Sequence, residues 1–497
     1  MTLDQLTDHA SLLQAAKLLE AENLALAKLV AKLKTRLLAL EGKEAVQLQL
    51  QIEDLEASLA QARQQMFGES SERREPTEGA AKEKPPKSQK TGHGRREQSS
   101  LEIVERVHTQ AADEKCSVCG GETKEWSGQF EESEEIDVIE RRFVVTKHKR
   151  QKYRCSCGSC IQTAPGPTKL FDGARYSVGF AVEVATSKYA DHLPLERQVK
   201  MMAREGLKVD SQTLWDQIDW LAFWLEPAHK ALGQYILTEP AIGADETHWR
   251  MMGKKESASS KRWHVWAIAT DRAVSYRISP SRSTEAAKAV LGGYQGTVMT
   301  DGYAAYSSLK KQGERFRLAH CWAHVRRKFI EIEAQYPKEC GEVLDWIGKL
   351  YQIERDTRDG PPARRLAIRA ERSREVVWKI RDWALETEAL PQSNLGKAIA
   401  YMGGVWDGLQ VFLSDPLVEL DNNRTERAIR GVVVGRKNHY GSRSKRGTEV
   451  AALFYSLIES AKLADLDPKA YLKVAIDAAL RKAKIPLPHE VSGAPAL

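Results

Sequence analysis

From residue 241 the chain changes character. Short β-branched and apolar runs alternate with one helical stretch, and an aspartate stands at the end of two of the runs. Residues 241–245 predict a strand ending on Asp245. Residues 262–270 and 273–278 predict two more strands, with Thr270, Asp271 and Arg272 making the hairpin turn between them. Ser283 opens a helix that runs through Leu291, and residues 296–300 predict a fourth strand leading into Asp301 and Gly302. Three strands, a helix and a further strand require a mixed sheet with helices packed on it, not a helical bundle or an all-β sandwich. Residues 330–415 then become strongly helical in pattern, an insertion that could shield or shape a ligand at the sheet.

This order is the opening of a ribonuclease-H-like fold, in which a carboxylate on the first strand lies beside one just past the fourth. A third candidate, Glu426, sits on a later helical stretch. Each has an ordinary alternative. Asp301-Gly302 is a common turn dipeptide, and Asp245 could cap a turn. Glu426 could complete a capping box with Asn423 as N-cap, or form an i,i+4 pair with Arg430. Together, strand-Asp, strand-Asp, helix-Glu is the order a two-metal phosphoryl-transfer site requires. Hard oxygen ligands suit Mg²⁺, or Mn²⁺ in its place. Two such ions about 4 Å apart activate an attacking oxygen and stabilise a leaving one. Asp245 is expected to bridge, with Asp301 and Glu426 each completing one metal. No unusual pKa is expected of the three, because the metals carry the catalysis.

Leu12, Leu19, Leu26, Leu33 and Leu40 recur at seven-residue intervals, with Ala16, Asn23, Val30 and Leu37 at the a positions. That predicts a leucine zipper and self-association. A hairpin folding back at Gly42 is the alternative, since Leu48, Ile52, Leu55, Leu59, Ala62 and Met66 resume the spacing in a new phase. Residues 67–100 lose the periodicity and read as a flexible basic linker. Five of the seven cysteines then crowd between Cys116 and Cys160. Cys116 and Cys119 form one knuckle, and Cys157 and Cys160 form the second, with Cys155 feasible in place of Cys157. Four thiolates make the tetrahedral site of structural Zn²⁺; a redox-active cluster is the alternative. Ile136, Val138, Phe143 and Val145 between the knuckles alternate in strand fashion. Residues 176–235 read as helices. One ends near Gly206, and a second, capped by Ser211, runs through Trp224. That is the outline of a helix-turn-helix, although Leu214, Ile218 and Leu221 are first of all core residues.

The chain is 497 residues long with a net charge of +7, enough for several domains and compatible with a polyanionic partner. No run approaches eighteen apolar residues, and the first residues lack a basic region followed by an apolar one. Neither a membrane span nor a signal peptide is expected, which points to the cytoplasm.

Several long motifs in order closely resemble the transposases of the insertion-sequence sixty-six family. They are ADET at residues 244–247, TDGYAAY at 300–306, HCWAHVRRKF at 320–329, DNNRTERAIR at 421–430, GRKN at 435–438 and DPKAYL at 467–472. The resemblance begins at the zipper and its FGESS end at 67–71 and runs to about residue 485. It implies a DNA transposase whose acidic triad is Asp245, Asp301 and Glu426. Water would attack at the transposon end, and the freed 3′-hydroxyl would join target DNA. Terminal-repeat and target DNA, further copies of the chain and accessory proteins of the same element are the implied partners. Arg326, Arg327, Lys328, Arg427, Arg430, Arg436 and Lys437 are candidate phosphate contacts, with solvated faces as the alternative. Cys321 and His324 have the spacing of half a metal site. No second half is evident in the sequence, so they read as packing or hydrogen bonding.

The expected fold is multidomain α+β. It comprises a coiled coil (1–66), the linker (67–100), a zinc-binding module (101–165) and a helix-turn-helix-like region (166–238). A ribonuclease-H-like catalytic domain (239–460, with the helical insertion about 330–415) and a helical tail (461–497) complete it. A non-catalytic DNA-binding regulator and a hydrolytic nuclease on the same fold are the competing functions.

Overall fold

The computed structural model describes residues 142–154, 161–252, 262–358 and 360–491, together with Leu29, Val30, Gln49, Gln51, Ile52 and Leu55. Most of the predicted zipper, the linker and all five clustered cysteines lie outside these residues. The six described N-terminal residues are helical, and the a-position Val30 and Ile52 are buried within the single chain.

A two-stranded hairpin, β1 (Lys152–Arg154) and β2 (Ile161–Thr163), flanks the second cysteine cluster. The expected strand character around Phe143 and Val145 is not found among the described residues: residues 142–150 form no regular secondary structure, and Val145 is 86% exposed. Phe143 turns the other way, packing edge-on against Phe180.

Helices α1 (Val178–Tyr189), α2 (Leu195–Arg204) and α3 (Ser211–Ile236) follow. Gly206, at φ +88°, ends the turn after α2. The N-cap of α3 is Asp210 rather than Ser211, because the Asp210 carboxylate accepts from Thr213 N at 2.6 Å. The helix also continues through Pro227 to Ile236, twelve residues past Trp224. Its inner residues Leu214, Ile218, Leu225 and Leu232 are fully buried in the core shared with the sheet. Over residues 211–224 its exposed side chains are Gln212, Asp216, Trp220 and Phe223, with no cation among them.

The sheet has the order β5-β4-β3-β6-β7. Strands β3 (Ala241–Arg250), β4 (Arg262–Ala269) and β5 (Val274–Ser279) form an antiparallel meander. Helix α4 (Thr284–Leu291), capped by Ser283, then crosses to β6 (Thr297–Thr300), parallel to β3. Helix α5 (Ala304–Lys311) leads to β7 (Arg317–His320), parallel to β6. Strand β3 extends five residues beyond Asp245, because antiparallel pairing with β4 persists to Arg250↔Arg262. Its parallel pairing with β6 stops earlier, at Gly243↔Met299. Directly paired residues share a face. Asp245, Ala267 and Tyr276 therefore lie on one face, and Glu246 and Trp266 on the other, where Trp266 meets Tyr306 of α5 edge-on.

A second hydrophobic core forms where α6 (Trp322–Ile330) meets the helical insertion. The insertion comprises α7 (Pro337–Thr357), α8 (Pro362–Ile368), a π turn (Arg369–Ser373), α9 (Arg374–Glu386), α10 (Asn394–Gly404) and α11 (Trp406–Leu409). Arg369 is fully buried within it. It donates to both Glu354 oxygens at 2.8 and 2.7 Å and to the carbonyls of Phe412, Asp415 and Val418.

The chain closes with α12 (Asn423–His439), α13 (Lys445–Leu463) and α14 (Pro468–Leu480). Helix α13 lies along the β5 edge. Ser460 Oγ accepts from Val274 N at 2.9 Å and donates to Val274 O at 3.0 Å. Ser456 Oγ accepts from Tyr276 N at 2.8 Å.

Candidate active site

Strand β3 and helix α12 are joined at both ends. At the start, Asn422 Nδ2 donates to Ala244 O at 2.9 Å. At the far end, Ser442 N donates to Arg250 O at 3.0 Å, and Trp249 Nε1 to Ser442 Oγ at 3.3 Å. Gly243 makes the first contact possible, since a Cβ there would collide with the Thr425 hydroxyl and the Asn422 amide. Parallel pairing of β3 and β6 has ended at this point, and the first turn of α12 occupies the opening. Glu426 is thereby brought near enough to act on the charge of Asp245.

Asp301 follows β6 directly. Its Oδ1 accepts from Tyr303 N at 2.8 Å, and Gly302 turns the chain at φ +93°. The turn reading of Asp301-Gly302 thus holds, but it uses only one carboxylate oxygen. Tyr401 of the insertion donates to Asp301 O at 2.6 Å. Glu426 is not a capping residue. The N-cap of α12 is Asn422, and the Glu426 carboxylate faces α6, 3.7 Å from His324 Nε2 and 3.9 Å from Arg327 Nη2. Glu426 Oε1 is buried without a hydrogen-bond partner.

Asp301 and Glu426 both lie near enough to Asp245 to act on its charge. Burial first, then Glu246, then Asp301 and Glu426 push the Asp245 carboxyl up to about 7. The expectation of ordinary carboxylate pKa values therefore fails at Asp245. A part-buried carboxyl raised by neighbouring acids is a setting whose charge a hard divalent cation would relieve.

Glu246 has a different role from its neighbour. Tyr306 donates to it at 2.9 Å and Arg282 Nε at 3.0 Å, while the Arg282 guanidinium stacks over the Tyr303 ring at 3.8 Å. Burial raises its pKa and these donors oppose the rise. Sequence reasoning missed this network, and also Tyr401. The only available signal was the adjacency of Glu246 to Asp245, which strand alternation sends to the opposite face.

Cys321 and His324 do have a further partner. Cys321 Sγ, a His324 ring nitrogen and a Glu426 oxygen all lie within 4.8 Å of one another. The missing half was invisible because it comes from a residue about a hundred positions away. Of the candidate phosphate contacts, Lys328, Arg427, Arg430 and Lys437 are exposed, and Arg326 and Arg327 are half-buried on α6. Arg436 is engaged elsewhere: it donates to the His248 carbonyl and to Thr247 Oγ1, and burial lowers its pKa. No helix among the described residues is long and apolar enough to cross a membrane.

The family profile described as "Transposase IS66 family" matches residues 173–450, and that described as "zinc-finger binding domain of transposase IS66" matches residues 113–158. The second span contains Cys116, Cys119, Cys155 and Cys157 and stops short of Cys160. Uncharacterized protein y4jD of Sinorhizobium fredii (strain NBRC 101917 / NGR234) is 34% identical over 357 residues, 68% of this chain and 70% of the relative. Uncharacterized protein y4qI of the same strain is 29% identical over 391 residues, 74% of this chain and 71% of the relative. No solved structure matches. With one profile spanning more than half of the sequence and a second on its cysteine region, the chain belongs to the IS66 family of transposases.

Proposed function

We propose that this transposase cuts and joins DNA at a site made by Asp245, Asp301 and Glu426, on a ribonuclease-H-like sheet. The observation that supports the reading is that Asp301, just past β6, and Glu426, on α12, both act on the charge of Asp245 on β3, whose carboxyl is pushed up to about 7. The order β5-β4-β3-β6-β7, antiparallel on one side of β3 and parallel on the other, supports the fold assignment. Asp245 and Asp301 also lie just past the carboxyl end of the parallel pairing of β3 with β6, where α/β sheets bind ligands.

The three carboxylates would hold Mg²⁺ or Mn²⁺, which when bound supplies the charge that activates the attacking oxygen and steadies the leaving one. The chain's own residues fix the geometry. Asn422 and Gly243 set the distance from α12 to β3, and Tyr401 anchors the turn that carries Asp301. Arg326, Arg327, Lys328, Arg427, Arg430 and Lys437 neutralise phosphates along α6 and α12, which makes binding weaken with salt. Hydrolysis at a transposon end frees a 3′-hydroxyl, and that hydroxyl displaces a bond in target DNA. Cys116, Cys119, Cys157 and Cys160, with Cys155 as a substitute for Cys157, hold structural zinc. The segment 1–66 associates copies of the chain. The setting is the bacterial cytoplasm, on nucleoid DNA, with accessory proteins of the same element as partners.

The test is strand transfer with labelled transposon ends, Mg²⁺ and a plasmid target. Wild type should yield joined product, and Asp301→Ala should lose it by about 10³-fold or more while still binding DNA. Cleavage without joining would favour a hydrolytic nuclease. DNA binding with neither reaction, unchanged in the variant, would favour a regulator.

A further inference from the structure

We propose that Cys321, His324 and Glu426 bind a single divalent cation of the zinc class, distinct from the metal of the cysteine module. Cys321 is the N-cap of α6 and His324 lies one turn along it, so a C-x-x-H spacing puts both side chains on one helix face. Glu426 reaches the same point from α12, and the three donor atoms fall within 4.8 Å of one another.

Sulfur, imidazole nitrogen and carboxylate oxygen together are the donor set of zinc and its relatives, not of Mg²⁺. Glu426 Oε1, 3.7 Å from His324 Nε2, is buried without a hydrogen-bond partner. Such groups are costly unless something satisfies them, and a cation satisfies both an imidazole nitrogen and a carboxylate oxygen. Arg327 stands against the other oxygen, Oε2, which leaves Oε1 turned toward the cluster. On binding, Cys321 releases its thiol proton to solvent, and thiolate plus carboxylate neutralise the dication. Asn422 N already points at the sulfur from 3.2 Å, an amide that supports a thiolate in place.

The binding claim does not require the strand-transfer reading, although both use Glu426. If both hold, an ion seated here draws Glu426 away from Asp245 and Asp301.

The test uses the full chain loaded with ¹¹³Cd²⁺ and read by ¹¹³Cd NMR. All-thiolate coordination resonates far downfield of a mixed sulfur, nitrogen and oxygen site, so the two metals report separately. Wild type should give both signals. Cys321→Ser, which keeps an oxygen acceptor at the N-cap, and His324→Ala, at a partly exposed position, should each lose the mixed-donor signal. Bound metal should fall by one ion per chain, with the downfield signal and the metal-free melting temperature retained. A wild-type spectrum without the mixed-donor signal would overturn the proposal, as would one whose mixed-donor signal survives in both variants. Neither result touches strand transfer by the triad, which the Asp301→Ala assay decides on its own.

Discussion

The insertion core buries one ionisable side chain and the sheet part-buries another, and the two are treated in opposite ways. Arg369 lies at 0% exposure with both Glu354 oxygens and three carbonyls around its guanidinium. Asp245 has one backbone donor and a set of like charges. The first arrangement is complete in the protein alone and locks the insertion to the segment leading into α12. The second is incomplete, and folding elsewhere must hold it in place. A buried charge with every valence met reads as architecture; one surrounded by repulsion reads as a place where something binds.

The contrast can be broken most severely at Arg369. Arg369→Ala should destabilise the protein by about 3–5 kcal/mol, because it strands Glu354 and three carbonyls. Denaturant melts would read this directly, and an unchanged midpoint would remove Arg369 from the architecture. A smaller effect of opposite sign is expected at Asp245. Its folded pKa, about 7, lies well above the ordinary aspartate value of 3.8, so the folded state holds this proton more tightly. The associated stability is full below about pH 4 and is lost as pH rises through 7. Metal-free Asp245→Asn should therefore be more stable than wild type at pH 8, by about 2 kcal/mol after allowing for partial solvation, with no difference at pH 4. Thermal melts in chelator at the two pH values test it, and adding Mg²⁺ should narrow the gap at pH 8. The smallest effect belongs to Tyr401→Phe, which removes only the hydroxyl that holds the Asp301 carbonyl. Stability should drop by about 1 kcal/mol, and strand transfer should fall several-fold without loss of DNA binding.

The sheet was largely legible before folding because its signals are local. The period-2 runs, the Ser283 cap and the Asp301-Gly302 turn each declare themselves within a few residues. The local pattern of β3 ends at Asp245, yet the strand runs on to Arg250; partner β4, not the sequence of β3, decides where pairing stops. Helix α3 was read too short for a similar reason. Its buried Ala228, Leu232 and Ile236 carry it past Pro227, and that burial depends on distant elements. The site was legible as a set of residue types and not as contacts. The meeting of Glu426 with His324, Tyr401 with Asp301, and Asn422 with Ala244 spans about a hundred positions or more. Nothing in a local pattern measures such a separation.

The two serines on α13 have a consequence for how copies of this chain can meet. An open strand edge is a template on which another chain can add a strand. On β5 the amides of Val274 and Tyr276 are already taken by Ser460 and Ser456, and a helix lies where a visiting strand would have to sit. That side of the sheet is closed to extension, which insulates it from fibre-like stacking of strands.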